Sequence, residues 1–129
     1  MIKVALQSVR HCACEPSDLL RNLNHILCAQ LRSQLVSAAY LFLDTEKSLA
    51  RYAAAGHPPM LHCRNRMLQR LDNNGLLLGV FPDAEDPVCE LAIESGDRFV
   101  LYTDGVIEPE DAQGCSFGDS RLDEVVGAD

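Results

Sequence analysis

The sequence predicts an α+β fold around mostly antiparallel sheet, and three observations point there. Two segments with helical periodicity open its 129 residues. About six short strand-like segments then follow, adjacent in sequence and separated by turn residues. The strand–helix–strand alternation of a parallel sheet does not occur among them.

Residues 1 to 13 open directly in a helical pattern, with Ile2, Ala5, Leu6 and Val9 on one face and no capping residue before them. This uncapped start and the final VVGAD read as the ends of a cut chain. Glu15-Pro16-Ser17 breaks the first helix, and Ser17 or Asp18 can cap a second. Its apolar face is Leu19, Leu20, Leu23, Ile26, Leu27 and Leu31, which predicts that the two helices pack side by side.

From Leu35 the stretch LVSAAYLFLD is apolar on both faces, as expected of a strand covered on both sides. Asp44-Thr45-Glu46-Lys47 turns the chain, and Leu49 to Ala54 returns as a hairpin partner. Ala55-Gly56-His57-Pro58-Pro59 is a loop, because two prolines remove two amide donors. Met60 to Cys63 and Met67 to Leu71 are short strands around Asn65, and Asn73-Asn74-Gly75 marks the next turn. Leu76 to Val80 is apolar but contains Gly79, which leaves its state open. Val88 to Ile93 and Arg98 to Thr103 flank Glu94-Ser95-Gly96-Asp97, the signal of a hairpin. After Gly105 the chain is acidic and turn-rich through Gly114, and Phe117 to Val126 forms one short final helix.

A hydrophobic content of 47% with 23% charged residues is an ordinary globular balance, enough for a single domain spanning residues 1–129. Eleven Lys and Arg against nineteen Asp and Glu give a net charge of -8, which disfavours nucleic acid and suits a site that gathers divalent cations. Of six cysteines only Cys12 and Cys14 lie close together, at a spacing that does not match paired CxxC zinc modules. Buried thiols, such as Cys28 and Cys89 in apolar patterns, are the expectation, with a His11, Cys12, Cys14 metal cluster as the alternative. No segment reaches the ~18 apolar residues of a membrane span, and no signal peptide opens the chain. The expectation is a cytoplasmic protein with no membrane contact in this segment.

The chemistry concentrates in FVLYTDGVIE, Phe99 to Glu108. Strand alternation from Arg98 puts Val100, Tyr102 and Asp104 on one face and delivers a carboxylate at the strand's exit. Asp104 is there either a solvated turn residue or a metal ligand. Gly105, with no side chain, lets a phosphate approach the backbone closely. Glu108 would share a helical face with Asp104, but Pro109 disfavours the helical region for it, so a supporting or capping role is expected. His57 sits on a stiff loop, where it can donate to a phosphate or act as a general acid, or else bond backbone groups and stabilise the turn. His25 and His62 lie in regular segments and read as structural. A cysteine hydrolase using Cys63 or Cys115 with His57 lacks both a nucleophile turn and an electropositive setting.

The ordered series AAAGHPPMLHCR, LLLGV, LAIESGDRFVLYTDGVIE and FGDSRL resembles the metal-dependent PPM-type protein serine/threonine phosphatases, in the bacterial SpoIIE-like branch. SDLLRNLNHIL and MIKVALQ extend the resemblance over essentially the whole chain. The resemblance implies an αββα sandwich, mostly antiparallel and incomplete at both ends of this chain. It implies two Mn²⁺ or Mg²⁺ ions whose bridging water attacks a phosphoserine or phosphothreonine in line. Asp104 carries over as a metal ligand, Gly105 as the point of close approach, and Gly56-His57 as a loop near the site. The family also uses an Asp-Gly motif upstream and an Asp-Asp motif downstream, which this chain lacks, so a complete two-metal site and activity of these residues alone are not expected. The implied partner is a phosphorylated bacterial regulatory protein, such as an anti-sigma-factor antagonist. Exposed edges left by the absent strands imply self-association as a homo-oligomer. The rival from another class is a noncatalytic interaction or regulatory module on a degenerate phosphatase fold.

Overall fold

The structure is a computed structural model describing residues 2–30, 35–72 and 74–128, and it divides into two compact units. The first comprises Met1–His57 and Asn73–Ile93, the second Pro58–Asp72 and Glu94–Asp129.

In the first unit, α1 (Ile2–Ser8) gives way to a 3₁₀ turn at Arg10–Cys12, and α2 spans Pro16–Gln30. Neither Ser17 nor Asp18 is the cap. Pro16 opens the helix, where its missing amide costs nothing, and the Leu19 amide donates back to the Glu15 carbonyl at 3.0 Å. The predicted α2 stripe is real: Leu19, Leu20, Leu23 and Leu27 are buried with Ala5 of α1 and Val9 just after it, while Leu31 lies outside the described residues. Ile2 and Leu6, assigned from sequence to the buried face of α1, are 45% and 43% exposed. The helix is only two turns long, so Ala5 alone of its residues is buried, with Val9 joining the core just beyond its end.

The sheet of this unit is organised by β2 (Leu49–Ala55), with β1 (Ala38–Asp44) antiparallel along one edge, Ala38 opposite Ala55. Along the other edge lie β6 (Val88–Ala92), antiparallel, and the two-residue β5 (Asn74–Gly75), parallel. It is β2, not LVSAAYLFLD, that is mostly buried: Ala50, Tyr52, Ala53, Ala54 and Ala55 are at most 1% exposed, whereas Leu43 of β1 is 46% exposed. The physical reason is position. A strand with partners on both edges sits under the layers, and β2's run of alanines lets Ala53 and Ala55 pack beneath the leucines of α2. Arg51 fixes the register, bonding Glu90 directly opposite at 3.1 Å and both the Cys14 carbonyl and Glu15 at 2.9 Å.

In the second unit, β3 (Met60–Arg64) is central between β4 (Met67–Leu71) and β7 (Arg98–Val100), both antiparallel to it. Its core joins Leu61, Cys63 and Tyr102 to Leu122 and Val126 of α4 (Gly118–Gly127), the final helix expected from sequence. The predicted hairpin across Glu94–Asp97 does not form. The turn exists, with Gly96 at φ +93 and the Asp97 amide bonded to the Glu94 carbonyl at 3.1 Å, but β6 pairs with β2 and β7 with β3. A turn reverses the chain locally, and long-range partners decide the pairing.

Asp97 is the anchor of β7. Its carboxylate, 3% exposed, accepts from Arg64 Nε at 2.7 Å and Nη2 at 2.6 Å and from the Glu94 amide at 3.0 Å. His62 Nε2 lies 3.1 Å away without hydrogen-bond alignment, its ring stacked on Phe99 at 4.9 Å. The Arg64 guanidinium holds this carboxyl well below the usual carboxylate range.

All six cysteines are free thiols: Cys63 is buried, Cys12, Cys28 and Cys89 are half-buried, and Cys14 and Cys115 are exposed. Among the described residues no helix is long and apolar enough to cross a membrane.

A depressed carboxyl stabilises the fold fully above its unfolded value near pH 4, and that contribution disappears as pH falls below it. Urea unfolding at pH 5 and pH 3 should therefore show a loss of stability toward acid that is smaller in Asp97→Asn. The β3–β4 turn gives a second expectation, because Asn65 and Arg66 both have positive φ, 50° and 65°. Arg66→Gly should stabilise the chain by about 1 kcal/mol, read as a higher urea midpoint at unchanged slope.

Candidate functional site

The strand expected to deliver Asp104 stops at Val100, and Asp104–Ile107 instead forms one helical turn, α3. Tyr102 explains where the strand ends. Its ring is buried with Leu61 and Leu122, its hydroxyl accepts from Arg70 at 3.1 Å, and it donates to Asp119 at 3.3 Å. Arg70 also bonds Asp123 on α4. Side chains from β4 and α4 thus hold the chain two residues before Asp104.

Beyond that anchor Thr103 is extended, at φ -117 and ψ 166, and Asp104 begins the turn. The Asp104 carboxylate is exposed and has no hydrogen-bond or ion-pair partner among the described residues. A turn or cap aspartate would bond its own backbone two or three residues on. Asp104 does not: its carbonyl accepts from the Glu108 amide at 2.9 Å while its side chain stays free.

Glu108 corrects the sequence argument. Despite Pro109 it sits in the helical region, at φ -77 and ψ -29, as C-cap of α3. One terminal residue can tolerate a following proline because no further helical turn has to form beyond it. Asp104, Gly105 and Glu108 therefore lie on one exposed turn. A Cβ built on Gly105 would meet only Thr103 Oγ1, at an ordinary 3.6 Å, so the protein's own packing does not demand glycine there.

His57 belongs to the other unit, and its loop has its own support. The Asn74 side chain bridges the His57 backbone, Oδ1 accepting from its amide at 3.2 Å and Nδ2 donating to its carbonyl at 2.9 Å. The Gly56 amide donates to the Gly75 carbonyl at 2.9 Å. Gly56 itself has φ +60, and a Cβ there would press on the Leu77 side chain at 2.5 Å. The turn is held through the His57 backbone and not through its ring, whose Nδ1 is buried with no partner among the described residues. Asn74 had registered in the sequence only as part of a turn with Asn73, which lies outside the described residues.

Among the described residues no group of three or more His, Cys, Asp or Glu converges in a way that could hold a metal ion, and this includes His11, Cys12 and Cys14. Asp104 and Glu108 alone do not fit the coordination that two hard cations require.

The sequence profile of the family described as Stage II sporulation protein E (SpoIIE) matches residues 1–129. The chain is 32% identical over 111 residues to phosphoserine phosphatase RsbU of Bacillus subtilis (strain 168), covering 84% of this chain and 33% of RsbU. It is 35% identical over 74 residues to phosphoserine phosphatase RsbP of the same strain, covering 57% of this chain and 18% of RsbP. Among solved structures, the SiaA-PP2C domain of Pseudomonas aeruginosa superposes with a TM-score of 0.78 at 17% identity, over 98% of this chain and 52% of that one. The RsbU and RsbW domains of Rv1364c from Mycobacterium tuberculosis give 0.79 at 19% identity, over 98% and 36%. The fold is that of these phosphatase domains, and the chain spans about a third or less of the curated relatives' length.

The two glycines predict opposite outcomes. Gly56→Ala should cost about 1–3 kcal/mol, because it combines a left-handed backbone with a steric clash. Gly105→Ala should be neutral or stabilising by up to about 1 kcal/mol, since alanine is the better helix former and has room. Thermal unfolding of both variants checks this, and any functional effect of Gly105→Ala then reports on what approaches the turn.

Proposed function

We propose that this chain, which belongs to the SpoIIE family, is the part of a metal-dependent protein serine/threonine phosphatase that presents Asp104 as a metal ligand. The observation that carries the reading is a carboxylate exposed at the start of α3 and without a partner among the described residues, beside a glycine that local packing does not demand. Gly105 leaves space for a phosphate over the backbone. Glu108, one turn on, can orient a ligand of Asp104.

The reaction class is hydrolysis of phosphoserine or phosphothreonine esters on a regulatory protein in the bacterial cytoplasm, with an anti-sigma-factor antagonist as the candidate substrate. RsbU and RsbP, named as phosphoserine phosphatases, support hydrolysis of a phosphoserine ester. The cation is Mn²⁺ or Mg²⁺, both hard oxygen-seeking ions. Because the described residues do not complete a two-ion site, these 129 residues alone should release no phosphate.

Two measurements test this. Adding Mn²⁺ to the isotope-labelled chain should broaden NMR signals of residues 103–108 at roughly millimolar concentration, the range of weak oxygen sites, and Asp104→Asn should remove the effect. Absence of that broadening would favour the noncatalytic module. Phosphate release from a phosphoserine peptide by the 129-residue chain should stay at the blank with Mn²⁺. Release that Asp104→Asn abolishes would overturn the incomplete-site argument.

A further inference from the structure

Asp86 is a buried acid that nothing in the phosphatase reading uses. It lies in the loop between β5 and β6, is 3% exposed, and its Oδ1 is buried with no hydrogen-bond partner among the described residues. It rests on Gly75 so closely that a Cβ built there would fall 1.9 Å from Oδ1 and 3.2 Å from the Asp86 Cα. Gly75 in turn receives the Gly56 amide, and its neighbour Asn74 bridges the His57 backbone. The contacts therefore run in one chain from the carboxyl of Asp86 through β5 to the Gly56-His57 loop, all within the first unit.

The rest of Asp86's loop is pinned independently. Asn24 of α2, 1% exposed, donates to the Phe81 carbonyl at 2.7 Å and accepts from the Gly79 amide at 2.8 Å. The loop therefore cannot easily swing away as a whole. β5 contributes no ionisable side chain, and the paired positions of β2 are Ala54 and Ala55. The ionisable groups beside it in sequence, Asp83 and Glu85, are exposed, and neither they nor His57 pairs with Asp86 among the described residues.

We propose that Asp86 is a positioning residue whose neutral carboxyl packs on Gly75 and holds the Gly56-His57 loop closed, and that ionising it loosens the loop. A buried carboxylate without a donor or a cation is costly, and the cost is relieved by moving off Gly75 into water. Burial pushes this carboxyl up to about 6. Because the closed state binds the proton more tightly than the open one, closure is strongest below pH 4, weakens as pH rises through 6, and is constant above. This concerns the order of the loop, and it stands whether or not the loop serves phosphate-ester hydrolysis.

The test is amide hydrogen exchange by NMR on the 129-residue chain between pH 4.5 and 7.5, corrected for intrinsic exchange. Protection of the Gly56 and His57 amides should fall about tenfold per pH unit up to pH 6 and no further above it. In Asp86→Asn, permanently uncharged, protection should be independent of pH. Should that variant not fold, the Asp86 carboxyl ¹³C shift recorded in the same wild-type samples replaces it, and its midpoint should coincide with the midpoint of the loop's loosening. Protection that is flat in the wild type, that falls equally in Asp86→Asn, or that follows the His57 ring and not the Asp86 carboxyl would overturn the proposal.

Discussion

The Asp97 carboxylate, closed off from water and answered by both arms of Arg64, is the constraint from which the second unit is built. Bidentate pairing fixes angle as well as distance, so β7 can meet β3 in only one register, Leu61 opposite Val100. From that register the chain has two residues to reach Tyr102, whose ring enters the core and whose hydroxyl is held by Arg70 and Asp119. Asp104 then emerges at a point set by β3, β4 and α4 together. Placement of the candidate ligand is thus a consequence of buried polar contacts, each of which would be costly if left unpaired.

The first unit solves a different problem by other means. Its central strand is a run of small residues, over which α2 lays four leucines and one buried asparagine. Small side chains on β2 give up hydrophobic area of their own but allow close approach of the helix. Asn24 converts that proximity into order, because its amide satisfies backbone groups at Gly79 and Phe81 that the short β5 leaves outside any ladder. The His57 loop is held in the same manner, by the side chain of Asn74 standing in for a strand partner. Both asparagines act on backbone far away in sequence, so neither left a local signal.

Much of the architecture was legible. The α2 stripe, the β1–β2 hairpin, the β3–β4 hairpin around Asn65 and the final helix all follow from periodicity and turn residues acting over fewer than about twenty positions. Misreadings share one cause. Glu94–Asp97 carries every mark of a hairpin turn, yet Arg51 recruits Glu90 to β2 while Arg64 recruits Asp97 to β3. LVSAAYLFLD looks like a strand covered on both sides, but β1, which pairs along one edge among the described residues, is only half-buried. Arg98 to Thr103 looks like a strand running up to Asp104, and the burial of Tyr102 accompanies its end at Val100.

By itself, the sequence determined the element types, the family and the identity of Asp104 as the residue to watch, because these depend on local pattern and on short ordered motifs. Only the tertiary structure decided that Asp104 sits on a helical turn with its carboxylate free, that β6 and β7 belong to different sheets, and that Asp86 lies against Gly75. Those outcomes depend on which distant side chain satisfies which buried polar group, information that is distributed over the chain and settled only when all the partners compete at once.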